Sequence, residues 1–157
     1  MEGRVANTAE VGSPAPEIEL AATGGKTIRL SDFKGHKNVL LVFYPSDFSP
    51  VCSNQLPAIE EQKAELEQLD TQVLGISVDS RWAHEAFARQ LGISFPLLAD
   101  VHRTASRAYG VLREAAASSE RALFVVDKRG ILRYRHVNEI REIPALDETL
   151  RVLHSLY

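Results

Sequence analysis

A cysteine closes a short, proline-bounded stretch, Pro45-Ser46-Asp47-Phe48-Ser49-Pro50-Val51-Cys52, and it is the only cysteine in the chain. The apolar run Val39–Tyr44 leads into the stretch and a helical pattern follows the thiol, so the cysteine falls where a loop meets a helix start. The first backbone N–H groups of a helix lack intrahelical acceptors, and their partial positive charge favours thiolate over thiol. The thiolate is the nucleophilic form. A lone cysteine is usually a buried structural residue, but its place between loop and helix argues here for a reactive one.

The spacing Pro45-x-x-x-Ser49-x-x-Cys52 resembles the active-site signature of the peroxiredoxins, thiol peroxidases of the alkyl hydroperoxide reductase/thiol-specific antioxidant (AhpC/TSA) group. Gly12-Ser-Pro-Ala-Pro, Leu30-Ser-Asp-Phe-Lys-Gly35 and Arg121-Ala-Leu-Phe-Val-Val-Asp127 are similar to other parts of that family. The resemblance implies that the Cys52 thiolate attacks the terminal oxygen of a hydroperoxide, giving a sulfenic acid plus water or an alcohol. It implies that Ser49 hydrogen-bonds both thiolate and peroxide, although its hydroxyl could instead accept a helix N–H as a cap. Pro45 would shield the thiolate from water, or simply end the strand. Val51 and Cys52 offer backbone N–H groups to the peroxide oxygens.

An arginine at a strand start is ordinarily a surface residue. The resemblance instead brings Arg121 to the cysteine, to polarise the peroxide and stabilise the thiolate. Gln55 stands where many relatives carry a glutamate that pairs with arginine, so it keeps an acceptor and drops the charge. Phe48 and Trp82 could line an apolar entrance, but core packing is the expected role of each. Thioredoxins have a second cysteine at the place of Ser49, which argues against dithiol–disulfide exchange as this chain's own chemistry. The histidines at 36, 84, 102, 136 and 154 lack metal-ligand spacing and read as surface or capping residues. No metal or cofactor is implied.

Length and composition agree with an ordinary soluble enzyme. The 157 residues suit one domain, with residues 1–12 as a loose arm. The net charge of −3 offers no basic surplus for nucleic acid. No apolar segment is long enough to cross a membrane, and the N-terminus lacks a signal core. The expected location is cytoplasmic.

The elements that must position the thiol can be read in order. Residues 13–30 form a hairpin around Thr23-Gly24-Gly25-Lys26, and 31–35 a single helical turn. The buried strand at 39–44 precedes a helix over 53–69, in which Pro57 should cause a kink. A strand at 72–79 leads to a helix over 80–91, capped by Asp79 or Ser80 and ended at Gly92. A short strand at 95–100, a short helix at 103–109, a strand pair at 122–127 and 131–137, and a helix over 143–156 complete the chain. This α/β order is the thioredoxin-like arrangement: a central mixed sheet flanked by helices, with an added N-terminal hairpin.

The function expected is a thiol-dependent peroxidase acting on hydrogen peroxide and organic hydroperoxides. With one cysteine, its sulfenic acid must be resolved by an external thiol: a thioredoxin-, glutaredoxin- or mycoredoxin-like protein, or a low-molecular-weight thiol. The pattern looks most like the small AhpE-type or bacterioferritin-comigratory-type branches, and a homodimer is the family-typical assembly. A cysteine hydrolase is one alternative, but it needs a histidine base. A catalytically silent thioredoxin-fold binding module is another.

Overall fold

The apolar run from Val39 becomes an interior strand of a seven-stranded sheet. The computed structural model describes residues 9–156. The strands are β1 (Glu19–Ala22), β2 (Lys26–Arg29), β3 (Asn38–Phe43), β4 (Thr71–Ser77), β5 (Leu97–Ala99), β6 (Leu112–Arg113), β7 (Ser118–Ser119), β8 (Arg121–Val126) and β9 (Leu132–Asn138). The helices are α1 (Cys52–Glu61), α2 (Lys63–Gln68), α3 (Arg81–Leu91), α4 (Thr104–Ala108) and α5 (Asp147–Leu156). A 3-10 turn spans Leu30–Phe33. The sheet order is β2-β1-β5-β4-β3-β8-β9, and β6 pairs with β7 apart from it. β3, β4 and β5 run parallel, and the remaining pairs are antiparallel, so the sheet is mixed.

β3 is hydrogen-bonded to β4 on one side and β8 on the other, and all six of its residues are buried. This explains a continuous apolar run where a half-exposed strand would alternate. Successive side chains still divide between two cores. Val39, Leu41 and Phe43 pack with Phe124, Tyr109 and Ile18, on the side of α4 and the N-terminal segment. Leu40, Val42 and Tyr44 pack with Leu56, Leu66, Phe87 and Leu153, from α1, α2, α3 and α5. Helices thus cover both faces, most of them on the second. β4 and β5 approach so closely that a Cβ on Gly75 would lie 2.7 Å from a Leu97 methyl, which is why this strand interior carries a glycine.

Several boundaries differ from the sequence reading. Residues 1–8 of the expected loose arm lie outside the described residues, but residues 9–12 are held: Ala9 is buried, and the Gly12 N–H donates to Leu132 O at 2.7 Å. The expected helix over 53–69 is two helices. α1 runs on through Pro57, and the interruption falls at Gln62, whose φ and ψ of −98° and 6° are not helical. The last helix starts at Asp147 instead of 143, because Pro144 biases Ile143 towards extended backbone. Ser80, not Asp79, caps α3, accepting from Ala83 N–H at 3.1 Å, and Gly92 ends it in the left-handed region at φ 69°. The β6–β7 hairpin was not anticipated, since two-residue strands show no periodicity. It matters to the site: the Ser119 hydroxyl donates to Tyr44 O at 2.9 Å, fixing the end of β3 where the loop departs.

Candidate active site

Cys52 is the first residue of α1 and is wholly buried. The Ser53 N–H donates to Ser49 O at 2.9 Å, and the Asn54 and Gln55 N–H groups donate to Val51 O at 3.1 and 2.9 Å. The helix therefore begins while the chain is still turning out of the loop. The Cys52 N–H donates to Ser49 Oγ at 3.4 Å. The bond Ser49 makes here is thus of the capping kind, and its own hydroxyl hydrogen has no acceptor among the described residues. The Val51 N–H likewise has no partner among them. Pro45, Ser49 and Val51 are half-buried around the turn.

Arg121 reaches this turn from the other end of the sequence. The β3–β8 register pairs Phe43 with Ala122, so the next residue of β8 lies beside the residues that follow β3. Strand alternation places Arg121 on the same face as Leu123 and Val125, the face covered by α1. It is 1% exposed, not a surface residue. Its Nη1 donates to Cys52 Sγ at 3.4 Å and, in a short bond, to Gln55 Oε1. Its Nε donates to Ile140 O at 3.0 Å. Cys52 and Gln55, three residues apart, share one side of α1. A guanidinium N–H aimed at the sulfur stabilises negative charge there.

A second set of buried polar groups was missed by sequence reasoning. His84 is wholly buried, which corrects the reading of the histidines as surface or capping residues. Its Nδ1 faces Asp47 Oδ2 at 2.7 Å and its Nε2 faces Leu98 O at 2.9 Å. An oxygen thus faces each ring nitrogen, and the imidazole is tied to the loop and to β5 at once. The Tyr44 hydroxyl donates to the other Asp47 oxygen at 2.7 Å. Burial, reinforced by the Asp47 carboxylate, pushes the Tyr44 phenol well above its ordinary value, so it remains a donor. The Asp47 N–H donates to Asp79 Oδ2 at 2.8 Å, and the Ser77 hydroxyl donates to that same oxygen at 2.6 Å. β3, β4 and α3 thereby pin the loop at Asp47. The pin faces a strained neighbour, since Phe48 sits at φ 66°, a conformation that persists only when its surroundings over-determine it.

The signal for His84 was its place three residues before Phe87 on the inner side of α3, read beside an acid in the thiol loop. Replacing His84 by alanine leaves the Asp47 carboxylate and the Leu98 carbonyl buried without that donor. The expected loss is about 2–4 kcal/mol in urea unfolding. A loss below about 1 kcal/mol would show that the pair does not hold the loop.

Phe48 and Trp82 are 48% and 70% exposed, so neither is a core residue. Phe48 lies edge-on to Phe87 at 4.9 Å on the rim of the loop, and the Arg81 guanidinium stacks on Trp82 at 4.5 Å. Each has a single partner there, a ring for Phe48 and a cation for Trp82. Among the described residues no group of three or more His, Cys, Asp or Glu side chains is arranged to hold a metal.

Comparison with known proteins gives consistent matches. The model of the AhpC/TSA family matches residues 11–135. Bovine peroxiredoxin-2 is 41% identical over 157 residues, covering 94% of this chain and 78% of the relative. A putative peroxiredoxin of Synechocystis is 40% identical, covering 93% of this chain and 78% of that protein. Among solved structures, the reduced 2-Cys peroxiredoxin of Plasmodium vivax superposes with a TM-score of 0.85 at 32% identity, covering 92% of this chain and 80% of that one. AhpC of Enterococcus faecalis does so with a TM-score of 0.85 at 31% identity, covering 94% and 92%.

Proposed function

This chain belongs to the AhpC/TSA family, the peroxiredoxins, and on that premise we propose that Cys52 is its peroxidatic nucleophile. The fold is thioredoxin-like and the protein is a thiol-dependent peroxidase, an oxidoreductase that reduces hydroperoxides at the expense of thiols. The observation that carries the assignment to Cys52 is the Arg121 N–H at 3.4 Å from its sulfur, across 69 residues of sequence.

In this reading the Cys52 thiolate attacks the distal peroxide oxygen. An S–O bond forms as the O–O bond breaks, and the departing alkoxide or hydroxide takes a proton to leave as alcohol or water. Arg121 holds the thiolate and meets the charge that develops on the peroxide. The free Val51 N–H is aimed at the same purpose, and the Cys52 N–H joins it once Ser49 turns to the substrate. Ser49 donates to one partner and accepts from the other. Pro45 limits water, Gln55 fixes the guanidinium, and Phe48 stands at the entrance. Because the sulfur is covered, a peroxide reaches it only when loop side chains shift. Stopped-flow reaction of the reduced protein with hydrogen peroxide and an organic hydroperoxide, followed by intact mass, tests the assignment. A product one oxygen heavier is expected, and unchanged mass with peroxide consumed elsewhere would overturn it.

The P. vivax relative is named a 2-Cys protein, but the 157 residues here hold one thiol. That count supports a one-cysteine cycle of the AhpE-like or bacterioferritin-comigratory-like kind. An external thiol, from a small molecule or a thioredoxin-, glutaredoxin- or mycoredoxin-like protein, attacks the sulfenic acid. A second thiol then releases the enzyme by exchange. After one equivalent of peroxide, mass spectrometry should find sulfenic acid without thiol and a mixed disulfide with it. A covalent dimer as the main product in both samples would favour resolution between subunits.

We read the chain as one domain acting in the cytoplasm, with a homodimer as its assembly. Among the described residues no helix is long and apolar enough to cross a membrane. The hydrolase reading loses its base, because no imidazole among the described residues is hydrogen-bonded to Cys52 and both His84 nitrogens are engaged elsewhere.

A further inference from the structure

Three segments, residues 14–17, 30–39 and 126–131, close around a cleft of about 380 Å3. The Ala15 N–H donates to Gly130 O at 2.9 Å, the Gly35 N–H to Lys128 O at 2.7 Å and the Leu30 N–H to Ile18 O at 2.9 Å. The walls are therefore tied together before anything enters. The floor is apolar: Leu30, Val39 and Val126 are buried, and Phe33 and Ile131 are half-buried. Val39 and Val126 are register partners, four residues along β3 from the Phe43–Ala122 pair beside the thiol loop, or roughly 13 Å. Both belong to the core on the side of α4 and the N-terminal segment, whereas Cys52 belongs to the other core. The sheet thus separates this cleft from the thiol.

The charged residues of the cleft are Glu17, Asp127, Lys34, Lys37 and Arg129. Both acids are engaged. Glu17 accepts from the Ile18 and Ser31 N–H groups and from the Ser31 hydroxyl. Asp127 accepts from the Arg129 and Ile131 N–H groups and from Arg133 Nε. The cations are not engaged. Close by in sequence, Lys128 and Arg133 are paired with Asp70 and Asp127, whereas Lys34, Lys37 and Arg129 have no carboxylate partner among the described residues. The Lys34 stem lies against the turn at Gly130, where a Cβ would stand 3.7 Å from Lys34 Cδ. Its apolar part is thereby held while its charged head stays free. The chain has a net charge of −3, yet the unpaired charge at this cleft is positive.

We propose that this cleft is a binding site for a single-chain amphipathic carboxylate, with its hydrocarbon tail over Val39, Val126 and Ile131 and its head among Lys34, Lys37 and Arg129. The two halves of the cleft ask for the two halves of such a molecule. The apolar floor takes a tail, and each methylene removed from water tightens binding about fourfold. The unpaired cations take an anionic head through charge-assisted hydrogen bonds. An inorganic anion leaves the floor empty, and a neutral alcohol of the same length leaves the cations unmet. The site stands apart from the peroxidase reading, because no residue assigned to the reaction lines it.

The test is a titration of the isotope-labelled full chain with octanoate, hexanoate, butanoate and octylammonium at constant ionic strength, followed by amide chemical shifts. Octanoate should shift the amides of Ala15, Gly130 and Ile131 to saturation at millimolar concentration. Hexanoate should bind about 10–20-fold more weakly, and octylammonium at least about tenfold more weakly than octanoate. Lys34→Glu/Lys37→Glu should weaken octanoate by at least about tenfold and leave the rate of peroxide consumption unchanged. Both side chains are exposed, and if the double variant does not fold, Lys34→Gln/Lys37→Gln carries the expectation of weaker binding. Butanoate or octylammonium binding as tightly as octanoate overturns the proposal, as does a lysine variant that folds and binds octanoate like the natural chain. So does the absence of shifts at these amides. Shifts there with phosphatidylglycerol vesicles but not with octanoate would make the cleft a membrane contact and overturn it too.

Discussion

Cys52→Ser should abolish peroxide consumption, by at least about 10³-fold, in a protein that still folds at room temperature. A serine hydroxyl fits the space of the thiol at the start of α1, so the packing of Leu56 and Ile59 behind it is kept. What it lacks is chemistry: it is not ionised near neutral pH and is a poor nucleophile towards peroxide oxygen. The measurement is the rate of peroxide loss with excess thiol, beside far-ultraviolet circular dichroism to establish folding. A variant that consumes peroxide at the wild-type rate would end the assignment of Cys52.

Arg121→Ala should slow peroxide reduction by about 10²-fold or more, and slow alkylation of Cys52 by a neutral reagent by clearly less. The two reactions share a nucleophile, so whatever Arg121 does for the thiolate affects both. Only the peroxide reaction develops charge on oxygen within reach of the guanidinium, and an interaction stronger in the transition state than in the ground state acts on that rate alone. Arg121→Met serves beside the alanine variant because it keeps most of the stem and removes the donors, which separates loss of charge from the cavity that alanine leaves. Equal, small losses in both reactions would make Arg121 a bystander held by Ile140 and Gln55.

Most of the architecture was legible from local rules. The run Val39–Tyr44 read as a buried strand because a strand paired on both edges and covered on both faces has no polar side to show. The loop followed from two prolines, and the thiol's place at a helix start followed from the pattern after it. The helix ends were less legible. The break between α1 and α2 falls at Gln62, which no proline or glycine marks, and Pro144 delayed the last helix by restricting the residue before it.

The site divides in the same way. Sequence alone determined the thiol, its loop, its helix and the strand before it, because those residues are neighbours along the chain and their chemistry is local. Tertiary structure decided what surrounds the thiol. Arg121 is close to the sulfur only because β8 runs antiparallel to β3 in a register that brings its first residue to the departing loop. His84 and Asp47, 37 residues apart, meet because α3 packs over the sheet with that side inward. That no carboxylate among the described residues pairs with Arg121 is likewise a property of packing, since it depends on where the acids of neighbouring elements turn. Spacing and periodicity report the neighbours of a residue within a strand or a turn, whereas the partners that share a charge are set by which strands pair and which helix faces are buried.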